Sequence, residues 1–170
     1  MSQSEFVRYI DKTRAYYRRE GYTRDYRWAH HTEAPFAAPI KPLAQSRAML
    51  ISTASLALLD EDGHALDAMP IIGTQALEVF PVPSDLPEDR ILYVVGNHDR
   101  AQSDMSDVNS YFPIGRLREF AAEGVLGSLA TDFFRLKENY SQRKTLEVDA
   151  PEVLRRCRED KVDVALLTPV

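Results

Sequence analysis

The chain has 170 residues and 19.3 kDa, with 44% apolar residues, 28% charged residues, seven glycines and ten prolines. That mix fits one globular domain with a sizeable core and excludes a low-complexity, collagen-like or wholly disordered chain. The net charge of −5 is unevenly spread: residues 1–50 hold nine basic and five acidic side chains, residues 51–110 two and eleven, and residues 111–170 ten of each. So acidic a central section argues against a nucleic-acid-binding domain, which needs a basic face. No apolar run approaches the roughly 18 residues of a spanning helix. Glu5, Asp11 and several arginines stand where a signal peptide needs an apolar stretch. The lone Cys157 excludes an internal disulfide framework and a local zinc set. The expectation is a cytoplasmic protein with neither membrane nor nucleic acid as a partner.

Ser2 and Glu5 have capping-box spacing, and Phe6, Tyr9, Ile10, Thr13 and Tyr17 fall on one helical stripe. This predicts a helix from Gln3 to Arg19, closed at Gly21. Tyr9, Tyr16, Tyr17, Tyr22, Tyr26 and Trp28 interleave with arginines, a pattern that base stacking would use. The plainer account is a solvated basic face whose rings pack on the domain or on a partner subunit. Residues 1–34 are therefore set apart as an aromatic, basic helical extension, with an α/β domain over 35–170. Pro35, Pro39 and Pro42 forbid regular helix across 29–46 and predict an extended arm.

Three compact apolar runs follow: Ala48-Met49-Leu50-Ile51 ending at Ser52-Thr53, Arg90 to Val95 ending at Gly96-Asn97, and Val162 to Leu167 ending at Thr168-Pro169-Val170. Helices are predicted over Ile114–Glu123, with Leu117, Phe120 and Ala121 inward, and over Pro151–Glu159, with Val153, Leu154 and Cys157 inward. Short continuous apolar strands alternating with amphipathic helices indicate an α/β fold: three layers, a mainly parallel sheet and flanking helices. Ligands of such sheets bind beyond the carboxyl ends of the strands, so the loops after the three strands should converge. The last strand meets the end of the sequence where a functional loop and a covering helix are expected, so the fold reads as truncated there.

Val94-Val95-Gly96-Asn97-His98-Asp99 resembles the Gly-Asn-His-Asp/Glu block of calcineurin-like metallophosphoesterases, and Asp62-Gly63-His64 imitates an Asp-x-His opening. A two-metal clamp needs several further O and N ligands. The chain has only His30, His31, His64 and His98, and no bridging Gly-Asp-x-x-Asp; Asp85 and Asp89 lie in a Pro-rich stretch without it. Asp-Gly is moreover a turn signal, so Asp62-Gly63-His64 is expected to join two strands. No metal is assigned, and the phosphoesterase stays as the alternative function, beside a non-catalytic binding subunit assembled through the N-terminal helix.

Four stretches taken together resemble the selenoprotein B family of glycine/sarcosine/betaine and proline reductases. They are Pro35-Phe36 and Lys41-Pro42-Leu43 leading into Arg47-Ala48-Met49-Leu50-Ile51-Ser52-Thr53-Ala54; Asn97-x-Asp99-Arg100 with Asp107-x-Asn109 and Phe112-Pro113-x-x-Arg116-Leu117-Arg118; Glu123 to Leu129; and Val162 to Val170. The resemblance covers residues 35–170. It implies a selenol- or thiol-dependent oxidoreductase that cleaves a C–N bond reductively, acting on a small amine or amino-acid-like substrate. In that family the last strand is followed at once by selenocysteine or cysteine, two residues and a cysteine. Selenocysteine is encoded by UGA, ordinarily read as a stop, so Val170 is expected to be an artificial C-terminus and the 170 residues inert alone. No cofactor is assigned to the chain itself; the resemblance implies selenocysteine in the full product, a pyruvoyl group on a partner subunit, and a homo-oligomer.

With no catalytic residue inside the chain, the candidates are substrate-binding. Asn97, Asp99 and Arg100 follow a strand and suit an amine or carboxylate, or simply cap the next turn. Asp107 and Asn109 have the alternative of Asx-turn residues. Ser52 and Thr53 offer hydroxyls and N–H groups for an oxyanion or carboxylate, or merely form the loop. Cys157, among Arg155, Arg156 and Arg158, is expected to be a small buried hydrophobe.

Overall fold

A computed structural model describes residues 8–25, 32–33, 37–67, 79–94, 105–137 and 141–170. The chain divides into two units, residues 1–36 and 37–170. In the first, α1 (Tyr9–Arg19) ends as its sequence dictates, with Gly21 at φ +90° turning the chain in a conformation open to glycine without strain. Arg18 forks onto both oxygens of Asp25 at 3.1 and 2.8 Å. The rings of Tyr16, Tyr17 and Tyr22 form an edge-to-face ladder with centroids 5.4 and 5.5 Å apart, and all three remain exposed. Ser2, Glu5, Phe6, Tyr26 and Trp28 lie outside the described residues.

The second unit is built around β1 (Arg47–Ser52), whose residues Ala48 to Ser52 are all buried. One edge of β1 pairs in parallel with β8 (Val164–Thr168), along Ala48 to Ser52. The opposite edge pairs in parallel first with β6 (Ser128–Leu129) and then with β7 (Asp132–Leu136), which β4 (Val79–Pro83) flanks antiparallel. Residues opposed on neighbouring strands share a face. Leu50, Ser52, Phe133, Arg135 and Leu166 therefore point one way, and Met49, Ile51, Phe134 and Leu167 the other. Phe112, entering α2 (Ile114–Ala122), meets Phe133 on the first face at 6.2 Å between ring centroids. Arg156 of α4 (Ala150–Glu159) lies 5.5 Å over the Phe134 ring on the second. Helices on both faces of a mainly parallel sheet make the α/β class expected from the apolar runs.

The strand expected at Arg90–Val95 does not join the parallel sheet. It forms as β5 (Ile91–Tyr93), antiparallel to β2 (Leu56–Leu59), which also pairs with β3 (Ala65–Asp67) in a separate three-stranded sheet. Within it Ile91 is buried and Leu92 exposed, the alternation of a one-sided antiparallel strand, which an unbroken apolar sequence conceals. The turn joining β2 to β3 is the one Asp62-Gly63 foretells: the Asp60 N–H donates to the His64 carbonyl at 2.8 Å, with Gly63 at φ +80°. β4 escapes sequence patterns because Pro81 and Pro83 interrupt it; as an edge strand it tolerates them.

In α2 the buried line runs through Ile114, Leu117 and half-buried Ala121. Phe120, expected inward, sits one residue, about 100°, off that line and is exposed. The Arg118 side chain donates instead to the carbonyls of Ser84 and Leu86 at 2.8 and 2.6 Å. α4 follows a short helical turn, α3 (Gln142–Lys144), and a π-helical stretch, Thr145–Asp149. Cys157 and half-buried Val153 face inward as expected, while Leu154 is largely exposed. Among the described residues no helix is long and apolar enough to cross a membrane.

Candidate functional site

The carboxyl ends of β1 and β8 lie side by side. The Thr53 N–H donates to the Thr168 carbonyl at 3.3 Å, and the Thr168 hydroxyl to the Ile51 carbonyl at 3.3 Å. The Thr53 hydroxyl accepts the Val170 N–H at 3.0 Å and lies 3.4 Å from the Val170 carbonyl, to which it can donate. The ends of β1 and β8 therefore meet, while β5, which precedes Asn97 to Arg100 in the chain, belongs to the other sheet. Ser52 is fully committed, its buried hydroxyl donating to the Tyr111 carbonyl at 2.8 Å and accepting the Ala54 N–H at 3.1 Å. It braces the strand end against the loop before α2.

That loop carries Asp107 and Asn109. The Asp107 carboxylate accepts the Asn109 N–H at 2.9 Å, closing a 3₁₀ turn over Val108–Ser110. The Asn109 side-chain oxygen accepts N–H groups of Gly115 and Arg116 at 3.0 and 3.3 Å, while its amide donates to Glu88 at 2.6 Å. Asn109 thereby satisfies two free donors in the first turn of α2. A Cβ at Gly115 would press on the Glu88 carboxylate, the movable end of a flexible side chain. Asn97, Asp99 and Arg100, and with them His98, lie outside the described residues.

Three neighbours of this strand end escape the sequence reading. Thr168 directly follows the apolar run Val162–Leu167, and no local signal marks its hydroxyl. Tyr111 is buried with its ring 5.2 Å from that of Tyr93; burial, then the nearby Asp107 charge, pushes its hydroxyl above the ordinary tyrosine range, so it stays protonated at neutral pH. Arg135, opposite Ser52 on β7, is 0% exposed; it donates to the Leu56 carbonyl and lies 5.4 Å over the Phe80 ring, joining the two sheets. Its only signal is an arginine embedded in Phe133-Phe134-x-Leu136.

Cys157 is buried, and burial followed by the Asp160 charge raises its thiol above the ordinary range despite the flanking arginines. A protonated, enclosed thiol is a poor nucleophile. At the β2–β3 turn, ligand atoms of Asp60, Asp62 and His64 lie within 4.8 Å of one another. One Asp60 oxygen is already spent on the N–H groups of Asp62 and His64, both at 2.9 Å. Asp62-Gly63-His64 thus closes a hairpin, the turn that Asp-Gly signals.

An α/β chain with a polar strand-end site is the class these features define. No protein-family model matches the chain, and no solved structure matches it. It is similar to D-proline reductase subunit gamma of Acetoanaerobium sticklandii, with 31% identity over 88 residues. The matched stretch is 51% of this chain and only 36% of that protein. The similarity is a distant link to the D-proline reductase family.

Proposed function

We propose that the chain is a redox component of a reductase of the selenoprotein B type, working with a partner subunit on a small amine or amino-acid-like substrate. The observation that carries the reductase part of this reading is the similarity to a D-proline reductase subunit; its selenoprotein B type rests on the sequence resemblance over residues 35–170. The residues that would hold a reactive group fit it: β8 delivers its end to the carboxyl edge of the sheet, beside the Thr53 hydroxyl and backbone, where α/β ligands gather. Cys157, enclosed and protonated, is not that group. We place the nucleophile, selenocysteine or cysteine, directly after Val170. Such a group supplies a chalcogen nucleophile for two-electron cleavage of a C–N bond, the electrons coming from an external dithiol that becomes a disulfide. Around it, Ser52 fixes the floor of the strand end, and Asn97, Asp99 and Arg100 are the residues we propose for polar contacts to the substrate. Activation of the amine falls to the partner, by a pyruvoyl group.

The test is intact mass and selenium content of the protein purified from its native host, followed by dithiol-dependent turnover of D-proline and small amino acids with its co-purifying partner. Selenium or a Cys-x-x-Cys continuation after Val170, with turnover lost when the 170-residue chain is substituted, is the expected result. A product ending at Val170 that supports no dithiol oxidation overturns the reading.

A further inference from the structure

Thr53 occupies a position that loop-forming or substrate-binding roles do not explain. Its N–H and its hydroxyl are both turned onto the segment leaving β8, not into the space beyond the sheet. The N–H holds the Thr168 carbonyl at 3.3 Å, continuing the β1–β8 ladder by one bond. The hydroxyl then skips Pro169, which has no N–H to give, and takes the Val170 N–H at 3.0 Å. The same hydroxyl stands 3.4 Å from the Val170 carbonyl as its donor. A single side chain thus grips both polar groups of one residue at the point where regular pairing has ended. Pro169 adds stiffness by fixing one backbone torsion between the two grips. Threonine suits the task, because its branched side chain has few rotamers and holds the hydroxyl where the backbone aims it.

We propose that Thr53 is a positioning residue: it fixes the backbone of Val170 and thereby sets where the next residue stands at the carboxyl edge of the sheet. The functional weight of this rests on the reading above, in which the nucleophile follows Val170. Thr53 acts through the backbone and touches neither substrate nor reacting atom. Ser52 cannot substitute for it, since its hydroxyl is already engaged with Tyr111 and Ala54.

Two measurements on Thr53→Val and Thr53→Ser separate the grip from the nucleophile reading. In the 170-residue chain, hydrogen exchange of the Val170 amide should accelerate at least tenfold in Thr53→Val and stay near the parent rate in Thr53→Ser, which keeps the hydroxyl. An unchanged rate in Thr53→Val overturns the proposal. The second measurement uses the chain with one cysteine appended after Val170, titrated by its rate of iodoacetamide alkylation against pH. In the parent, the thiol should titrate away from the value of a free cysteine, about 8.5; Thr53→Val should return it there, and Thr53→Ser should not. A thiol that titrates as free cysteine in the parent, alongside a protected Val170 amide, leaves the grip standing and overturns the placement of the nucleophile. A shifted thiol that Thr53→Val leaves unmoved overturns Thr53 as the positioning residue.

Discussion

Leu50 of β1 and Leu166 of β8 oppose each other on one rung of the parallel ladder, yet Leu50 is 0% exposed and Leu166 44%. Both strands are uninterrupted apolar runs, and the pairing between them extends over five rungs. They differ in what surrounds them. β1 has strands on both edges and layers over both faces. Among the described residues β8 pairs only with β1, and its other face is as open as the first, with Leu167 at 67% exposure. An apolar run is therefore sufficient to select a strand and its pairing, while burial depends on how many layers the rest of the chain supplies. Apolar burial stabilises by about 25 cal/mol per Å² removed from water, so the larger share of that gain in this ladder belongs to β1.

The most direct way to break the comparison is to truncate both leucines. Leu50→Ala should cost about 2–5 kcal/mol in denaturant unfolding, because it leaves a cavity at a fully buried position. Leu166→Ala should cost less than about 1 kcal/mol, since water already reaches the side chain. Equal losses would mean that β8 is covered in solution. A smaller effect is expected one layer away: Asn109→Ala should lower stability by about 1 kcal/mol through loss of the α2 cap, visible in thermal unfolding. An unchanged melting temperature would return Asn109 to the substrate-binding residues.

Acid should loosen the ties that hold β8 and α4 more gently still. Asp163 accepts from Lys41 and from the Arg47 N–H, and these bonds hold its carboxyl below the ordinary range. Burial pushes Asp160 up, but bonds from Arg47 and Thr131 outweigh it and leave it lowered as well. Hydrogen bonds from Arg155 and Arg156 take Glu152 from 4.5 down to about 2. A carboxyl lowered in the folded state stabilises fully above its unfolded value and loses that contribution as pH falls through its folded value. Unfolding midpoints should thus be flat above about pH 5 and decline between about pH 4.5 and 2. Glu152→Gln should flatten part of that decline; an unaltered slope would show that half-buried Glu152 contributes nothing measurable, as ion pairs near the surface often do.

Several features of the fold are legible without coordinates. The apolar stretches at Ala48–Ile51 and Val162–Leu167 specify parallel strands, Gly21 marks a helix end, and Asp62-Gly63 marks a turn. These are local signals, each written in a few consecutive residues. The sheet that Ile91 joins is not local: an apolar triplet fits either a parallel or an antiparallel neighbour, and the choice was made by Leu56 and Leu58, more than thirty residues upstream. Asn109 likewise looks like a ligand-binding amide until Gly115 and Glu88 arrive beside it.

At the candidate site the division is the same. Local signals suffice to put Ser52 and Thr53 at the end of a buried strand, Asp107 and Asn109 in an Asx turn or a binding loop, and the one cysteine on an apolar helical face. Packing assigns Ser52 to Tyr111, sets the Thr53 hydroxyl against Val170 from 117 residues away, and buries an arginine between the sheets. Hydrogen-bond capacity is a property of the residue, but which partner uses it is a property of the packing. Backbone carbonyls shut off from water must be paired with whatever donor the fold brings within reach, and no stretch of neighbouring residues records that choice.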